Sequence, residues 1–302
     1  MNRCVAEKFQ VRAAVRRDVP AMPPKVEVVR VGDLSGAADW SKAVGGIDVV
    51  VHTAARVHVM RDASADPLAE FRRVNVEGTM KLARQAAKAG VRRFIFISSI
   101  KVNGERTMDG RRFTADDPPA PIDPYGISKH EAETGLLKLG RETGLEVVII
   151  RSVLVYGPGV RANMLSMMRW LHRGIPLPLG AVHNKRSLVA LENLVDLIVT
   201  CIRHPAAANQ IILVSDGEDL STTALLRRTA GALGKRAVLI PAPAWMLRLT
   251  ARLVRKEEVA QRVCDSLQVD IEKTRRLLGW TPPVRVEDAL KETARDFLHN
   301  KT

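Results

Sequence analysis

The chain of 302 residues is long enough for one large or two modest domains, and its 46% hydrophobic and 26% charged content is ordinary for a globular protein. No apolar stretch reaches the ~18 residues of a membrane span, so no transmembrane segment is predicted. The net charge of +14 is high, but the basic residues are scattered and aromatic residues make up only 4%, which argues against nucleic-acid binding.

The first half of the chain alternates short apolar runs with helical patterns. Strands are predicted at 11–15, 26–31, 48–52, 94–97 and 146–150, and helices at 66–89 and 125–143. Strands that alternate with helices form a parallel sheet covered on both faces. The sequence therefore predicts an α/β fold with a doubly wound, Rossmann-type parallel sheet.

After Tyr156 the pattern loosens. Loops are marked by Gly157-Pro158-Gly159 and by the Pro-rich stretch 175–180. Helices are predicted at 192–203, 221–233, 243–254 and 286–299. This half is predicted to form a smaller, mostly helical lobe. Within it, the segment 245–256 is basic and amphipathic, which is compatible either with contact to anionic lipid or with an ordinary solvated helix face.

Tyr125 and Lys129 are the residues most suggestive of chemistry. At a spacing of four they share one face of a helix, so the ammonium can favour the phenolate and lower the pKa of the phenol. Such a pair can exchange a proton with a substrate hydroxyl or carbonyl. Asp123 and Pro124 suit the N-cap and first position of that helix. The spacing alone is common, and the cap and the neighbouring strand give it weight.

The strand before this helix ends in Ser98-Ser99. Open α/β sheets bind their ligands at the carboxyl ends of parallel strands. Ordinary capping of the strand end is the alternative interpretation of the two hydroxyls.

The ordered set of these motifs resembles the extended short-chain dehydrogenase/reductases of the NAD-dependent epimerase/dehydratase group. The resemblance rests on Gly32-Asp33-Leu34, Asp48-Val-Val-Val-His-Thr-Ala-Ala55, Asn75-Val-Glu-Gly-Thr79, Ser98-Ser99, Tyr125-x-x-x-Lys129, Arg151-Ser-Val-Leu-Val-Tyr-Gly-Pro-Gly159, Arg186-Ser-Leu-Val and Leu278-Gly-Trp-Thr-Pro282. It covers almost the whole chain. It implies an enzyme that acts on a nucleotide sugar. The three scattered cysteines predict a reducing, cytoplasmic location.

The resemblance implies catalytic roles for three residues. Tyr125 would be the general acid–base, Lys129 would lower its pKa and hold the cofactor ribose, and Ser99 would bond the reacting sugar oxygen. Ser98 would lie beside the nicotinamide. Donors aimed at an oxygen that develops charge stabilise such a transition state.

The resemblance also implies a cofactor site along the strand ends. Asp33, with Leu34, resembles the adenine-contacting position, although a plain turn is the alternative. Ala54 and Ala55 would let the cofactor approach, or serve packing alone. Arg16 stands where NAD-specific members carry an acid, which favours NADP(H), while the neighbouring Asp18 leaves NAD open. No metal site is expected.

Substrate contacts are implied for Asn163 and Arg186, because a guanidinium suits paired phosphate oxygens. A surface arginine is the alternative for Arg186. The expected reaction is UDP-hexose 4-epimerisation or reduction of a UDP-4-keto-6-deoxy-N-acetylhexosamine during surface polysaccharide synthesis. Leu154 stands near a position that is often polar in the epimerases. A homodimer through the Tyr125 helix and its neighbour is also implied.

The implied domain limits follow the same comparison. The dinucleotide-binding domain is expected at 1–155, with 185–204 returning to it. The substrate lobe is expected at 156–184 and 205–302.

One family feature is not in this sequence. The Gly-x-x-Gly-x-x-Gly loop that binds pyrophosphate at a helix N-terminus does not occur, and Gly45-Gly46 precedes a strand. We therefore expect a chain that lacks the first strand and its loop, with unpaired strand edges within the sheet. The alternative function is that of a catalytically inactive, truncated relative that serves as a nucleotide-binding scaffold.

Overall fold

The computed structural model describes residues 1–17, 19, 22–35, 37–57, 66–108, 110–253 and 257–300. The strands are β1 Val11–Val15, β2 Val26–Arg30, β3 Val49–His52, β4 Arg93–Ser99, β5 Glu146–Ser152, β6 Leu154–Tyr156, β7 Arg186–Ala190, β8 Gln210–Val214 and β9 Asp219–Leu220. The helices are α1 Asn2–Ala6, α2 Ser41–Val44, α3 Pro67–Phe71, α4 Thr79–Lys88, α5 Pro124–Thr143, α6 Ala162–His172, α7 Leu191–Arg203, α8 Thr222–Ala232, α9 Ala244–Leu253, α10 Glu257–Cys264, α11 Glu272–Leu278 and α12 Val286–His299. A π-helical turn, Arg72–Gly78, joins α3 to α4.

A four-stranded parallel sheet forms the centre of the fold, in the order β3-β4-β5-β8. Its middle strands are runs of β-branched and aromatic residues that are buried on both faces, as parallel strands covered by helices require. Apolar residues of α4 and α5 pack on one face, and those of α7 and α11 pack on the other. The predicted α/β fold with a parallel sheet between helices is confirmed.

The first two strands form a separate parallel sheet. β1 pairs with β2 over its full length, and among the described strands neither pairs with β3. β1 and β3 thus each present one edge without a described neighbour, which agrees with the unpaired edges expected from the sequence.

The second half of the chain holds more strand than the sequence predicted. β8 lies in the range 205–302 assigned to the substrate lobe, yet it pairs with β5 because its apolar run Gln-Ile-Ile-Leu-Val extends the buried sheet. β6, β7 and β9 form a small mixed sheet. Apolar residues of α6, α8 and α12 pack together with those of this small sheet and form an apolar core of their own. The helices predicted at 192–203, 221–233 and 286–299 are present as α7, α8 and α12.

Candidate active site

The first turn of helix α5 is fixed from both sides. Asp123 Oδ1 accepts a hydrogen bond from the Gly126 amide at 2.7 Å, and Pro124 occupies the first turn. Gly126 lies so close to the segment after β4 that an added Cβ would be 2.9 Å from the carbonyl oxygen of Lys101. The Lys101 ammonium also donates to the Asp123 carboxylate. The predicted helix start is confirmed, and Tyr125 is held against the end of β4.

The structure brings the three predicted catalytic side chains together. The Ser99 hydroxyl lies close enough to the Tyr125 phenol to oppose the rise in the pKa of that phenol. Lys129 Nζ lies 6.0 Å from the centroid of the Tyr125 ring and 4.3 Å from that of Phe96. It donates to the carbonyl oxygen of Ile97 at 2.8 Å. A phenol, a hydroxyl and a buried amine therefore meet at the carboxyl end of β4.

The pKa values of this cluster differ from the sequence expectation. Burial, reinforced by the negative charge of Asp123, raises the pKa of Tyr125 to about 12, although the hydrogen bond from Ser99 opposes the rise. Burial lowers the pKa of Lys129 to about 7, against the effect of Glu133. The sequence predicted a lowered pKa for Tyr125, whereas its net pKa in the structure is raised, because the cost of burying a phenolate dominates and the Lys129 amine donates to a backbone carbonyl.

Ser98 is hydrogen-bonded within the fold. Its side chain is buried, and its hydroxyl donates to Glu133 Oε1 at 2.5 Å. The hydroxyl is thus directed into the fold, toward helix α5. This contact favours a positioning role over direct contact with a nicotinamide.

Glu133 and Arg151 are site residues that the sequence analysis did not identify. Arg151 Nη2 and Nε donate to the Glu133 carboxylate, and Arg151 Nη1 donates to Asn103 Oδ1 at 2.9 Å. Two signals were present in the sequence. Arg151 interrupts a buried apolar strand, where a charge needs a partner, and Glu133 lies one turn after Lys129 on the same helix face.

Asn75 links the π-helical turn to the catalytic helix. Its amide donates to Ser128 Oγ at 3.0 Å and exchanges hydrogen bonds with the backbone of Arg56. Ser128 in turn donates to the carbonyl oxygen of Tyr125 at 2.8 Å. The π-helical turn spans Asn75. The chain of bonds orients the first turn of α5.

The predicted cofactor residues outside the catalytic cluster follow the carboxyl ends of β1, β2 and β3, and Ser99 lies at the carboxyl end of β4. Arg16 and Asp33 follow the first two strands and form an ion pair at 3.3 Å, with 62% and 74% of their side chains exposed. Asp18 lies outside the described residues. An ion pair this exposed contributes little to stability, so a ligand could replace it at little cost in free energy.

Small and apolar side chains complete this edge. Ala54 is exposed and Ala55 half-buried after β3. Leu34 is half-buried and packs so closely on Gly78 that an added Cβ would lie 2.9 Å from its Cγ. Open α/β sheets bind dinucleotides at strand ends of this kind.

The predicted substrate residues lie apart from this cluster. Asn163 is exposed in the first turn of α6. Arg186 begins β7, and its guanidinium donates to the carbonyl oxygens of Arg262 and Asp265 at 3.0 and 3.1 Å. Burial lowers the pKa of Arg186, and the charge of Asp265 opposes this. Within the described residues, neither Asn163 nor Arg186 forms a hydrogen bond or ion pair with the catalytic cluster.

The buried histidine at the end of β3 has the contacts of a structural residue. His52 is buried, bonds the Thr79 hydroxyl at 3.0 Å and stacks on Phe96, and burial lowers its pKa to about 3. Over the described ranges, no group of three His, Cys, Asp or Glu side chains is placed to hold a metal ion. In the same ranges, no helix combines the length and apolar character needed to cross a bilayer.

Known proteins similar to this chain point to one family. The profile of the NAD dependent epimerase/dehydratase family matches residues 2–215. A UDP-glucose 4-epimerase from Vibrio cholerae is 50% identical over 292 residues, which cover 96% of this chain and 87% of the relative. An N-acetyl-alpha-D-glucosaminyl-diphospho-ditrans,octacis-undecaprenol 4-epimerase from Escherichia coli O157:H7 is 26% identical over 290 residues, which cover 91% and 85%.

The solved structures support the fold. MoeE5, solved in complex with UDP-glucuronic acid and NAD, superposes with a TM-score of 0.78 at 24% sequence identity, and the match covers 100% of this chain and 94% of MoeE5. At that identity the likeness establishes the shared fold.

Proposed function

The chain belongs to the NAD-dependent epimerase/dehydratase family, and from this premise we propose that it interconverts the C4 epimers of a UDP-hexose. The observation that carries the proposal is its 50% identity to a UDP-glucose 4-epimerase over 96% of the chain. The cluster of Ser99, Tyr125 and Lys129 supports it, because that cluster contains the acid–base group that such a reaction needs.

The chemistry is oxidation of the C4 hydroxyl followed by reduction from the opposite face of the sugar ring. Bound NAD would supply the redox chemistry, and its oxidised nicotinamide ring would carry a positive charge. In the proposed mechanism Tyr125 takes the hydroxyl proton and later returns it to the same oxygen. Ser99 donates a hydrogen bond to that oxygen, where negative charge develops.

Lys129 has two proposed tasks. In its charged form it favours the phenolate of Tyr125, and its ammonium bonds the cofactor ribose. With its pKa lowered to about 7, the amine exchanges protons easily near neutral pH. Burial of the phenol makes the Tyr125 proton hard to remove, so the cationic state of Lys129 is the one that supports base catalysis.

The strand-end residues are proposed to hold the cofactor. Asp33 and Leu34 would contact the adenosine, and Ala54 and Ala55 would allow close approach. Arg16 would accept a 2′-phosphate, which predicts that NADP(H) binds at least as well as NAD(H). The test is titration of both reduced cofactors by fluorescence with wild type and Arg16→Ala. A clear NADH preference in the wild type contradicts this part of the proposal.

The proposed substrate contacts are Asn163 and Arg186, each of which would bind the nucleotide diphosphate. Arg186 has a partly buried guanidinium that already bonds two carbonyl oxygens, so it would offer its remaining N–H groups. Arg186→Lys should raise KM for the UDP-sugar and leave kcat largely unchanged, since the contact is remote from the reacting carbon.

Reduction of a UDP-4-keto-6-deoxy-N-acetylhexosamine uses the same tyrosine and cofactor. Absorbance at the NADPH band separates the two reactions. Conversion of UDP-glucose to UDP-galactose without net cofactor oxidation supports the epimerase. Net NADPH oxidation with the 4-keto sugar alone supports the reductase. Turnover of neither substrate, with nucleotide binding retained, supports the inactive scaffold.

The cellular setting belongs to the proposal as well. We place the enzyme in the cytoplasm, since its three cysteines are free thiols. We also propose that it supplies sugars for surface polysaccharide. Helices α4 and α5 pack side by side and would form the interface of a homodimer. Sedimentation velocity at several concentrations tests the dimer.

A further inference from the structure

Helix α9 carries an exposed apolar stripe. Among the described helices of eight or more residues, it is the one without a buried residue. Trp245, Leu249 and Leu253 follow one another at a spacing of four and are 64%, 53% and 77% exposed, and Met246 lies beside them. Residues at this spacing share one face of a helix. A folded domain rarely exposes so many large apolar side chains together.

The exposed stripe is not needed to hold α9 in place. The helix packs against α10. Its half-buried residues Ala244, Leu247 and Ala251 recur at helical spacing on a different face from the exposed stripe. α9 therefore has one apolar face for the fold and a second that meets solvent.

The segment that leads into α9 adds to the exposed apolar area. Val238 and Ile240 are exposed, and their backbone pairs with Leu177 through two hydrogen bonds of 2.9 and 2.8 Å. We name Val238, Ile240, Trp245, Met246, Leu249 and Leu253 the α9 surface. The β-bridge to Leu177 ties the entry to this surface firmly to the substrate lobe.

The charged residues near the α9 surface are mainly basic. Lys235 and Arg236 precede it and are exposed. Arg252 lies between Leu249 and Leu253 in the sequence, and 81% of its side chain is exposed. Its Nε atom lies 4.0 Å from Glu257 Oε1. Arg248 is paired with Asp265 at 2.8 Å.

The acidic groups facing α9 are Asp265 and the exposed Glu257 and Glu258 of α10. Glu258 is already paired with Arg262. The basic flank and the chain's net charge of +14 favour an anionic partner over a neutral or acidic protein face.

We propose that the α9 surface docks on an anionic lipid bilayer. A helix that presents tryptophan, leucine and methionine outward, with arginine at its polar margin, has the composition of helices that lie in the membrane interface. Docking would hold the substrate lobe at the bilayer while the parallel sheet remains in water. The inference goes beyond the proposed epimerase activity and does not depend on it.

The test is flotation of the full chain with vesicles of phosphatidylcholine alone and of phosphatidylcholine mixed with phosphatidylglycerol. We expect binding to the mixed vesicles, a blue shift of tryptophan fluorescence and weaker binding at high salt. Leu249→Ser/Leu253→Ser should weaken binding by at least about tenfold. Leu298→Ser removes an exposed leucine from α12 and should bind like the wild type.

Circular dichroism and UDP-sugar turnover in the absence of vesicles should be the same for all these variants, because the altered side chains are already exposed. Wild-type protein that does not float with the mixed vesicles overturns the proposal. Equal flotation of the double variant also overturns it. If sedimentation instead shows that Leu249→Ser/Leu253→Ser dissociates a dimer and vesicles bind neither protein, the surface is a contact between copies and the proposal is wrong.

Discussion

Glu133 and Arg151 form a buried ion pair behind the carboxyl end of β4, with an Oε2–Nη2 distance of 2.7 Å and only 2% of each side chain exposed. Ser98 donates to the same carboxylate, and Lys129 lies one turn earlier on α5. The pair therefore connects strand β5 with the strand and the helix that carry the proposed catalytic residues. Since a charge buried without a partner is costly, the two side chains depend on each other.

This dependence predicts a large coupling energy. Glu133→Gln and Arg151→Met should each lower the free energy of unfolding by about 3–5 kcal/mol, because each leaves a buried charge alone. The double variant should lose much less than the sum of the two. Urea unfolding of the wild type and the three variants measures the coupling.

A matched control lies on the surface. Arg72 and Glu131 form a two-pronged ion pair with 48% and 32% of their side chains exposed. The same cycle with Arg72→Met and Glu131→Gln should give about 1 kcal/mol or less. Equal coupling energies for the two pairs would contradict the role assigned to burial.

Gly126 sets the distance between α5 and the segment after Ser99. In Gly126→Ala the new Cβ meets the Lys101 carbonyl oxygen, so the first turn must move and carry Tyr125 with it. We expect kcat to fall by between about 10- and 100-fold, as displacements near 1 Å do in other enzymes. Steady-state kinetics with the UDP-sugar measures the effect.

The control for this prediction is Gly231→Ala in helix α8. An added Cβ there meets no atom within 4 Å. Alanine should leave kcat unchanged and raise stability by about 0.5–1 kcal/mol. Wild-type kcat in Gly126→Ala would count against the close approach as the device that positions Tyr125.

The buried amine of Lys129 predicts a pH-dependent stability. Its pKa is lowered from 10.5 in the unfolded chain to about 7 in the folded one, so between these values the unfolded chain binds more protons. Stability from this group is therefore present above about pH 10.5 and is lost as the pH falls toward about 7. The free energy of unfolding of wild type minus that of Lys129→Met should rise between pH 7 and 9. Urea titrations at several pH values measure it, and a constant difference would contradict the lowered pKa.

Local patterns predicted β1, β2, β4 and helix α5 well. The strands at 11–15, 26–30 and 93–99 follow from apolar runs, and helix α5 follows from the Asp123-Pro124 cap. These features depend on side chains that are close in sequence, so a single chain reveals them.

Other features depend on contacts between distant segments. β9 has two residues, and its existence rests on pairing with β7. The hydrogen bond of Ser98 to Glu133 spans 35 positions, and no local signal sets its direction. The raised pKa of Tyr125 arises from burial by the folded chain, whereas the spacing to Lys129 predicted the opposite. The proximity of Ser99, Tyr125 and Lys129 was thus predictable, but the pKa values of the two titratable side chains were not.

The proposed epimerisation of a UDP-hexose at C4 depends on Tyr125 as the group that moves the proton. The most direct measurement is the rate at which UDP-glucose becomes UDP-galactose, followed by NMR with NAD present, for wild type, Tyr125→Phe and Tyr156→Phe. The chain has two tyrosines, and the Tyr156 hydroxyl donates to Asp216, away from the cluster. We predict that Tyr125→Phe lowers kcat by about 10²–10⁴-fold while Tyr156→Phe turns over like the wild type. Turnover of Tyr125→Phe at the wild-type rate would contradict the claim.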